Sequence, residues 1–377
     1  MAKKRGNGEG SITRRKDGLY MARYTVQTAT GAKRKALYGK TRSEVAAKLS
    51  KALADREGGL TYDAGKQTVG EYLTRWLSNS VRDTVRQRTY ERYESIVRVH
   101  LVPAIGSVKL KTLTPDHVRG LYREKLDGGL AARTVLHIHR VLSKALKQAV
   151  DDGLIPRNAA GSVKSPQPRG EEIRPLNREQ VRIFFEAARE DRLEALYIVA
   201  VTAGLRRGEL QGLKWEDVDL SGATGTLQVR RTLSEPRGGY IFEAPKSGKG
   251  RNIRLTRKAT SALREHRKRQ LEERMRLGTL WRDHGLIFPS GAGTPLSGGN
   301  LNRAFKALLK RAGLPPMIRF HDLRHTCATL LLRQGVNPKF VQELLGHGDV
   351  SLTLNVYSHV LPDMGDTAAG AMDDALG

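Results

Sequence analysis

The sequence predicts a mainly α-helical chain with small β-sheets (α+β), arranged as successive modules. Apolar residues recur at helical spacing over most of 69–152, 178–203 and 257–345. Alternating segments cut by glycine turns are confined to the first forty residues and to 226–255. At 377 residues the chain also exceeds one ordinary core, so two or three domains are expected.

The elements follow in order. Strands are expected at 10–15, 19–26 and 33–38, divided by turn signals at Lys16-Asp17-Gly18 and Ala29-Thr30-Gly31. A helix then starts at Thr41, where Thr41 and Glu44 form a capping box, and ends at Gly58-Gly59; Val45, Leu49, Ala52 and Leu53 share one face. A linker at 62–67 leads to helices over 69–79, 87–99, 115–127 and 131–152. The last carries the stripe Val135, Ile138, Val141, Leu142, Ala145 and Ala149. Pro166, Pro168, Gly170 and Pro175 mark a second linker at 164–175. Beyond it, Asn177 and Gln180 cap a helix over 178–190, and Gly204 stops one over 193–203. Short strands near 226–232, 240–243 and 251–255 precede helices at 257–277, 299–311, 321–334, 338–345 and 352–360. Asn337-Pro338 supplies an N-cap with proline at the first helical position.

The formal charge is +27, from 66 Lys and Arg against 39 Asp and Glu. Such an excess repels itself in any compact state, so a polyanionic partner is expected. No apolar run approaches the roughly 20 residues that span a bilayer. The basic start runs into Gly-Asn-Gly-Glu-Gly instead of an apolar stretch, unlike a secretory signal. One cysteine, Cys327, excludes an internal disulfide and a cysteine-based zinc site, which suits a reducing cytoplasm; its apolar neighbours read as core packing.

Chemistry concentrates in the last two hundred residues. Arg206 lies in Gly204-Leu205-Arg206-Arg207-Gly208-Glu209, just past a helix-ending glycine that presents it; Arg207 is the alternative. His321-Asp322-Leu323-Arg324-His325 puts His321 and Arg324 on one helical face. Arginine suits a phosphoryl group under attack because its planar fork donates bidentately and stays charged. His321 and His325 also have the spacing of a zinc-protease helix, with His347 as a forced third ligand. However, Asp322 stands where a glutamate base belongs and Arg324 puts a cation beside the metal, so no metal site is expected. Tyr357, ten residues after His347, is a candidate nucleophile whose phenol needs adjacent cations to ionise; amphipathic core is the other reading. The run from Ala244 to Arg251 looks like a hairpin turn between two strands, offering Lys246 or Lys249 as a proton donor. It lacks the phosphate-loop string of nucleotide binders.

The order Arg206, Lys246, His321-x-x-Arg324, His347, Tyr357 resembles the tyrosine recombinase (phage integrase) family. The resemblance implies an arm-type DNA-binding domain at 1–62, a SAM-like core-binding domain at 67–163, the linker, a catalytic domain at 176–360 and an acidic tail at 361–377. The second and third domains form a C-shaped clamp on DNA in that family. It further implies that Tyr357 forms a 3′-phosphotyrosyl bond and that Lys246 protonates the departing 5′ oxygen. Arg206, Arg324, His321 and His347 then stabilise the phosphoryl group, oriented in part by Glu209. No cofactor is needed, since the phosphotyrosyl link conserves the energy of the cut bond. DNA contacts are expected from Arg14, Arg15, Lys33, Arg34 and Lys35 in the arm, and from Arg88, Arg133, Arg140 and Lys144 in the helical block. Implied partners are double-stranded attachment sites, three further copies of the chain in a tetramer, an excisionase and a DNA-bending host protein. The tail has two readings, disorder or docking on a neighbouring protomer. A type IB topoisomerase-like enzyme and a non-catalytic DNA-binding protein are the other functions the same scaffold could serve.

Overall fold

The computed structural model describes residues 11–28, 31–57, 67–168, 173–245, 248, 250–346, 370 and 372–377, with side chains there except at 26–28, 31–33, 51 and 54–57. The chain forms two compact units, Met1–Gly170 and Glu171–Gly377.

The first unit begins with three antiparallel strands, β1 (Ser11–Arg14), β2 (Tyr20–Thr28) and β3 (Gly31–Gly39), followed by helix α1 (Arg42–Glu57). Gly18 turns β1 into β2 at φ +84°, a left-handed backbone that glycine adopts without strain. Ala22 pairs with Ile12 on one side and Leu37 on the other, so the three share a face. That face packs with Tyr24 against Val45, Leu49, Ala52 and Leu53 of α1. At the start of α1, Thr41 Oγ1 accepts from Glu44 N–H at 3.2 Å. The Glu44 carboxylate reaches back to Lys40 N–H at 2.9 Å, one residue upstream of the expected partner.

Helices α2 (Val69–Trp76), α3 (Gln87–Ile96), α4 (Val102–Ile105), α5 (Pro115–Asp127) and α6 (Ala132–Asp151) build a second core in the same unit. The helix expected to reach 79 instead ends α-helical at Trp76 and continues as a π turn, Leu77–Val81. Likewise α3 passes through a π turn, Val97–Leu101, into α4. Pro103 lacks the N–H an uninterrupted helix would use there. The predicted stripe of α6 is buried together with Leu146, each of its valine, isoleucine and leucine side chains adding about 1.5–3 kcal/mol. Tyr72 Oη donates to the Ala145 carbonyl at 2.7 Å, tying α2 to α6.

The second unit holds α7 (Arg178–Ala187), α8 (Glu194–Ala203), α9 (Arg207–Gln211), α10 (Arg257–Leu277), α11 (Gly298–Arg311), α12 (Asp322–Arg333) and α13 (Pro338–Leu345). Helix α7 is shorter than expected, because Glu190 takes a left-handed φ of +65°. Helix α8 is buried from Ala195 to Val201 and ends at left-handed Gly204. Around it Phe184, Tyr197, Phe305 and Phe320 stack edge to face or tilted.

The strands of this unit correct the expected hairpin. β4 (Val218–Asp219), β5 (Thr226–Val229) and β8 (Arg251–Arg254) form one sheet in the order β4-β5-β8, while β6 (Thr232–Ser234) pairs only with β7 (Ile241–Glu243). The chain therefore reverses at 235–240, where Gly238 and Gly239 take positive φ. β7 and β8 lie in different sheets and so do not pair as a hairpin, although Gly248 N–H donates to the Pro245 carbonyl at 2.9 Å in a tight turn between them. No described helix is long and apolar enough to cross a membrane.

Candidate active site

Gly204 lies between α8 and Arg206, and its left-handed turn brings the loop against α12 and α13. A Cβ there would come within 2.5 Å of Leu345 Cδ2 and 3.2 Å of Cys327 Sγ. The loop backbone receives one cation and launches another. Arg324, 3 % exposed on α12, donates from Nη1 to the Gly204 carbonyl at 2.8 Å. Arg206 is extended, caps α9, and donates its N–H to Glu209 Oε2 and its Nη1 to Oε1, both at 2.9 Å. Its Nη2 reaches the Gly346 carbonyl at 2.9 Å, at the end of α13. The Arg206 side chain stays 27 % exposed.

Glu209 is 1 % exposed and holds a second guanidinium, that of Arg251, whose Nη1 and Nη2 meet its two oxygens at 3.1 and 2.8 Å. Burial pushes its carboxyl up, but the hydrogen bond and charge of Arg251, with those of Arg206, outweigh this and hold it below the usual range. Two cations thus hang on one buried anion.

Sequence reasoning missed Arg251. A signal existed: on β8 it lies two residues from buried Ile253 and alternates with exposed Asn252, so its side chain starts on the inward face. Its partners, Glu209 and the Leu344 carbonyl reached by Nε at 2.8 Å, are distant in sequence and not readable from it.

On α12 the buried Asp322 accepts from the Arg319 N–H at 2.8 Å and from its guanidinium at 2.9 Å, which fixes the helix start. His321 occupies the N-cap position at the surface, its side chain making no capping hydrogen bond. Partial loss of water and the charges of Arg324, Arg319 and Arg206 lower its pKa against the opposing pull of Asp322. His325 meets the His321 ring edge-on, centroids 5.0 Å apart, and burial with that neighbour takes it to about 4. Cys327 is buried, 3.7 Å from the Thr202 carbonyl, and burial pushes its thiol up to about 12. Among the described residues no group of three or more His, Cys, Asp and Glu could hold a metal ion.

The structure brings together Arg206, Glu209 and Arg324, with His321 near them. Lys246, Lys249, His347, Tyr357 and the helix expected at 352–360 lie outside the described residues, as does most of the acidic tail.

In the first unit Arg14 and Arg15 are exposed, their guanidiniums 5.8 Å from the Tyr20 ring and 5.4 Å from the Tyr38 ring. Arg34 is exposed, while Lys35 is half-buried opposite Tyr24, on the face covered by α1. The Lys33 side chain lies outside the described ones. Arg23, not anticipated, shares the open face with Arg34, as alternation with Ala22 and Tyr24 could have shown. In the helical block Arg88, Arg133, Arg140 and Lys144 are exposed, and Lys144 Nζ sits 5.3 Å from the Tyr93 ring. Partial burial, then Arg92, Arg140 and Arg133, lower the pKa of His137 among them.

Residues 174–364 match the phage integrase family, and 68–126 match the phage integrase N-terminal SAM-like domain. A tyrosine recombinase XerC-like protein of Caldanaerobacter subterraneus subsp. tengcongensis is 31 % identical over 361 residues, 90 % of this chain and 92 % of that one. The solved Tn1549 transposon integrase, in complex with transposon right end DNA, superposes with a TM-score of 0.69 at 23 % identity, covering 82 % of this chain and all of its own. A lambda integrase tetramer bound to a Holliday junction gives 0.54 at 23 % identity, covering 90 % of this chain and 95 % of its own. The likeness to these two structures is one of fold.

Proposed function

The chain belongs to the phage integrase family, and on that footing we propose that it is a site-specific DNA recombinase integrating and excising a mobile element. Tyr357 attacks the scissile phosphorus, a phosphotyrosyl bond forms at the 3′ side, and the bond to the 5′ oxygen breaks. Lys246 supplies the proton that makes the leaving group a hydroxyl. The 5′-hydroxyl of a partner strand then attacks the phosphotyrosine and restores the phenol.

The reading rests on the convergence of Arg206 and Arg324 at loop 204–206, beside the carbonyl of Gly346. Charge that develops on the nonbridging oxygens needs donors already in place, and both guanidiniums are fixed by backbone carbonyls before any DNA arrives. His321, its pKa lowered by burial and by these same arginines, adds an imidazole beside them. His347, bonded to Gly346, is assigned as the second imidazole of the site.

The three-stranded module takes distal arm sites, the helical block takes the core site through Arg88, Arg133, Arg140 and Lys144, and the chain works as a tetramer on DNA in the cytoplasm. An excisionase and a DNA-bending protein would set direction.

A nicked suicide substrate tests the chemistry. The wild type should trap as a covalent adduct and Tyr357→Phe should not; Arg206→Ala or Arg324→Ala should slow trapping on the order of 10²–10³-fold. Cleavage by Lys246→Ala should recover on a bridging 5′-phosphorothiolate, whose leaving group needs no proton. An adduct that survives Tyr357→Phe sinks the assignment.

A further inference from the structure

Arg251 takes no part in the chemistry above, yet its three contacts join separate pieces of the site. Its fork closes on both oxygens of Glu209, the carboxylate that also holds the N–H and Nη1 of Arg206. Its Nε donates to the Leu344 carbonyl in the last turn of α13. The guanidinium lies against Gly346, where a Cβ would come within 2.9 Å of Nη1 and 3.2 Å of Cζ. The last carbonyls of a helix have no partner inside it. At α13 two of this terminal group, from Leu344 and Gly346, are taken by Arg251 and Arg206. The next peptide bond leads to His347.

We propose that Arg251 is a positioning residue for strand cleavage. It braces Glu209 and the end of α13, and so sets both the Arg206 guanidinium and the point from which the chain departs towards His347 and Tyr357. This rests on the recombinase reading. A lysine cannot replace it, because one ammonium cannot span a carboxylate and a carbonyl on separate elements as a planar fork does.

The test uses the full-length protein, with Arg251→Lys, Arg251→Met and Glu209→Gln alone and Arg251→Met combined with Glu209→Gln. Single-turnover adduct formation is measured at saturating nicked substrate, beside DNA affinity and urea unfolding. Displacing reacting groups by about an ångström costs on the order of 10²-fold in rate. Both Arg251 variants should lose about that much while DNA affinity stays within about threefold and unfolding stays cooperative. The double variant should be no more than about threefold slower than Arg251→Met, because both changes break one brace. Trapping by either variant at the wild-type rate overturns the proposal. So does a loss that DNA affinity or cooperative unfolding follows in the Lys variant, or multiplicative effects in the double variant. Failure of the wild type itself to trap strikes the recombinase reading instead.

Discussion

On α6 the cations Arg133, Arg140 and Lys144 stand exposed, whereas Arg324 is 3 % exposed and the Arg251 side chain 11 %. Both groups belong to the same excess of positive charge, but their surroundings give them different work. An exposed cation keeps its water until it meets a phosphate, and its contribution is affinity, paid out as released counterions. The enclosed arginines have already exchanged water for the carbonyls of Gly204 and Leu344 and for the carboxylate of Glu209. Their contribution is geometry that no longer needs to be organised when DNA binds.

The largest test of that contrast removes the shared anion. Glu209→Ala leaves two guanidiniums without their buried partner. It should lower unfolding stability by about 3 kcal/mol, the low end for such a loss because Arg206 keeps some solvent. Urea titration measures it, and a change below about 1 kcal/mol would put the enclosed set on the same footing as surface pairs. A smaller effect is expected from Arg140→Ala. The slope of log affinity against log salt should become shallower by about 1, with all DNA sequences weakened alike. An unchanged slope would remove Arg140 from the phosphate contacts.

Smallest is the response of two imidazoles to salt. His137 and His321 both titrate below the usual value, by partial loss of water and by neighbouring arginines, exposed ones at His137 and partly enclosed ones at His321. Salt screens exposed charge more than enclosed charge. Raising salt tenfold should therefore lift the His137 pKa towards its ordinary value and move His321 less. Proton NMR titration reads both, and equal shifts would erase the distinction.

Much of the fold was legible where local chemistry decides it. Helices α10 and α13 have the expected bounds because Thr256 and Asn337 cap their starts and Gly278 and Gly346 follow their ends. The π turns after α2 and α3, the five residues of α9 and the two of β4 were not legible, since such short pieces carry no period. The strand expected over 226–232 breaks at Arg230-Arg231, where Arg231 is drawn to Asp217 at 2.7 Å and Glu216 at 2.8 Å. That tie lies fourteen and fifteen residues away in sequence, and no local pattern announces it. Arg206, Glu209 and Arg324 could be picked out by motif, but the carbonyls that hold them could not. Glycine and lysine between 244 and 250 gave the composition of a tight reversal. A tight turn does lie there, with Gly248 N–H donating to the Pro245 carbonyl at 2.9 Å, but the reversal that pairs two strands uses Gly238-Gly239, which are equally turn-like.

Helix α13 does not share the main core on equal terms. Val341 and Leu345 pack with Ala328 and Leu332 in a small separate cluster, and Leu344 touches the large one. A patch of that size secures little free energy, so this end of the unit is expected to open before α8 or α11 does. Its amide protons should exchange with deuterium ahead of theirs. The end of α13 that carries Gly346 is thus held by few apolar contacts and by the guanidiniums of Arg206 and Arg251.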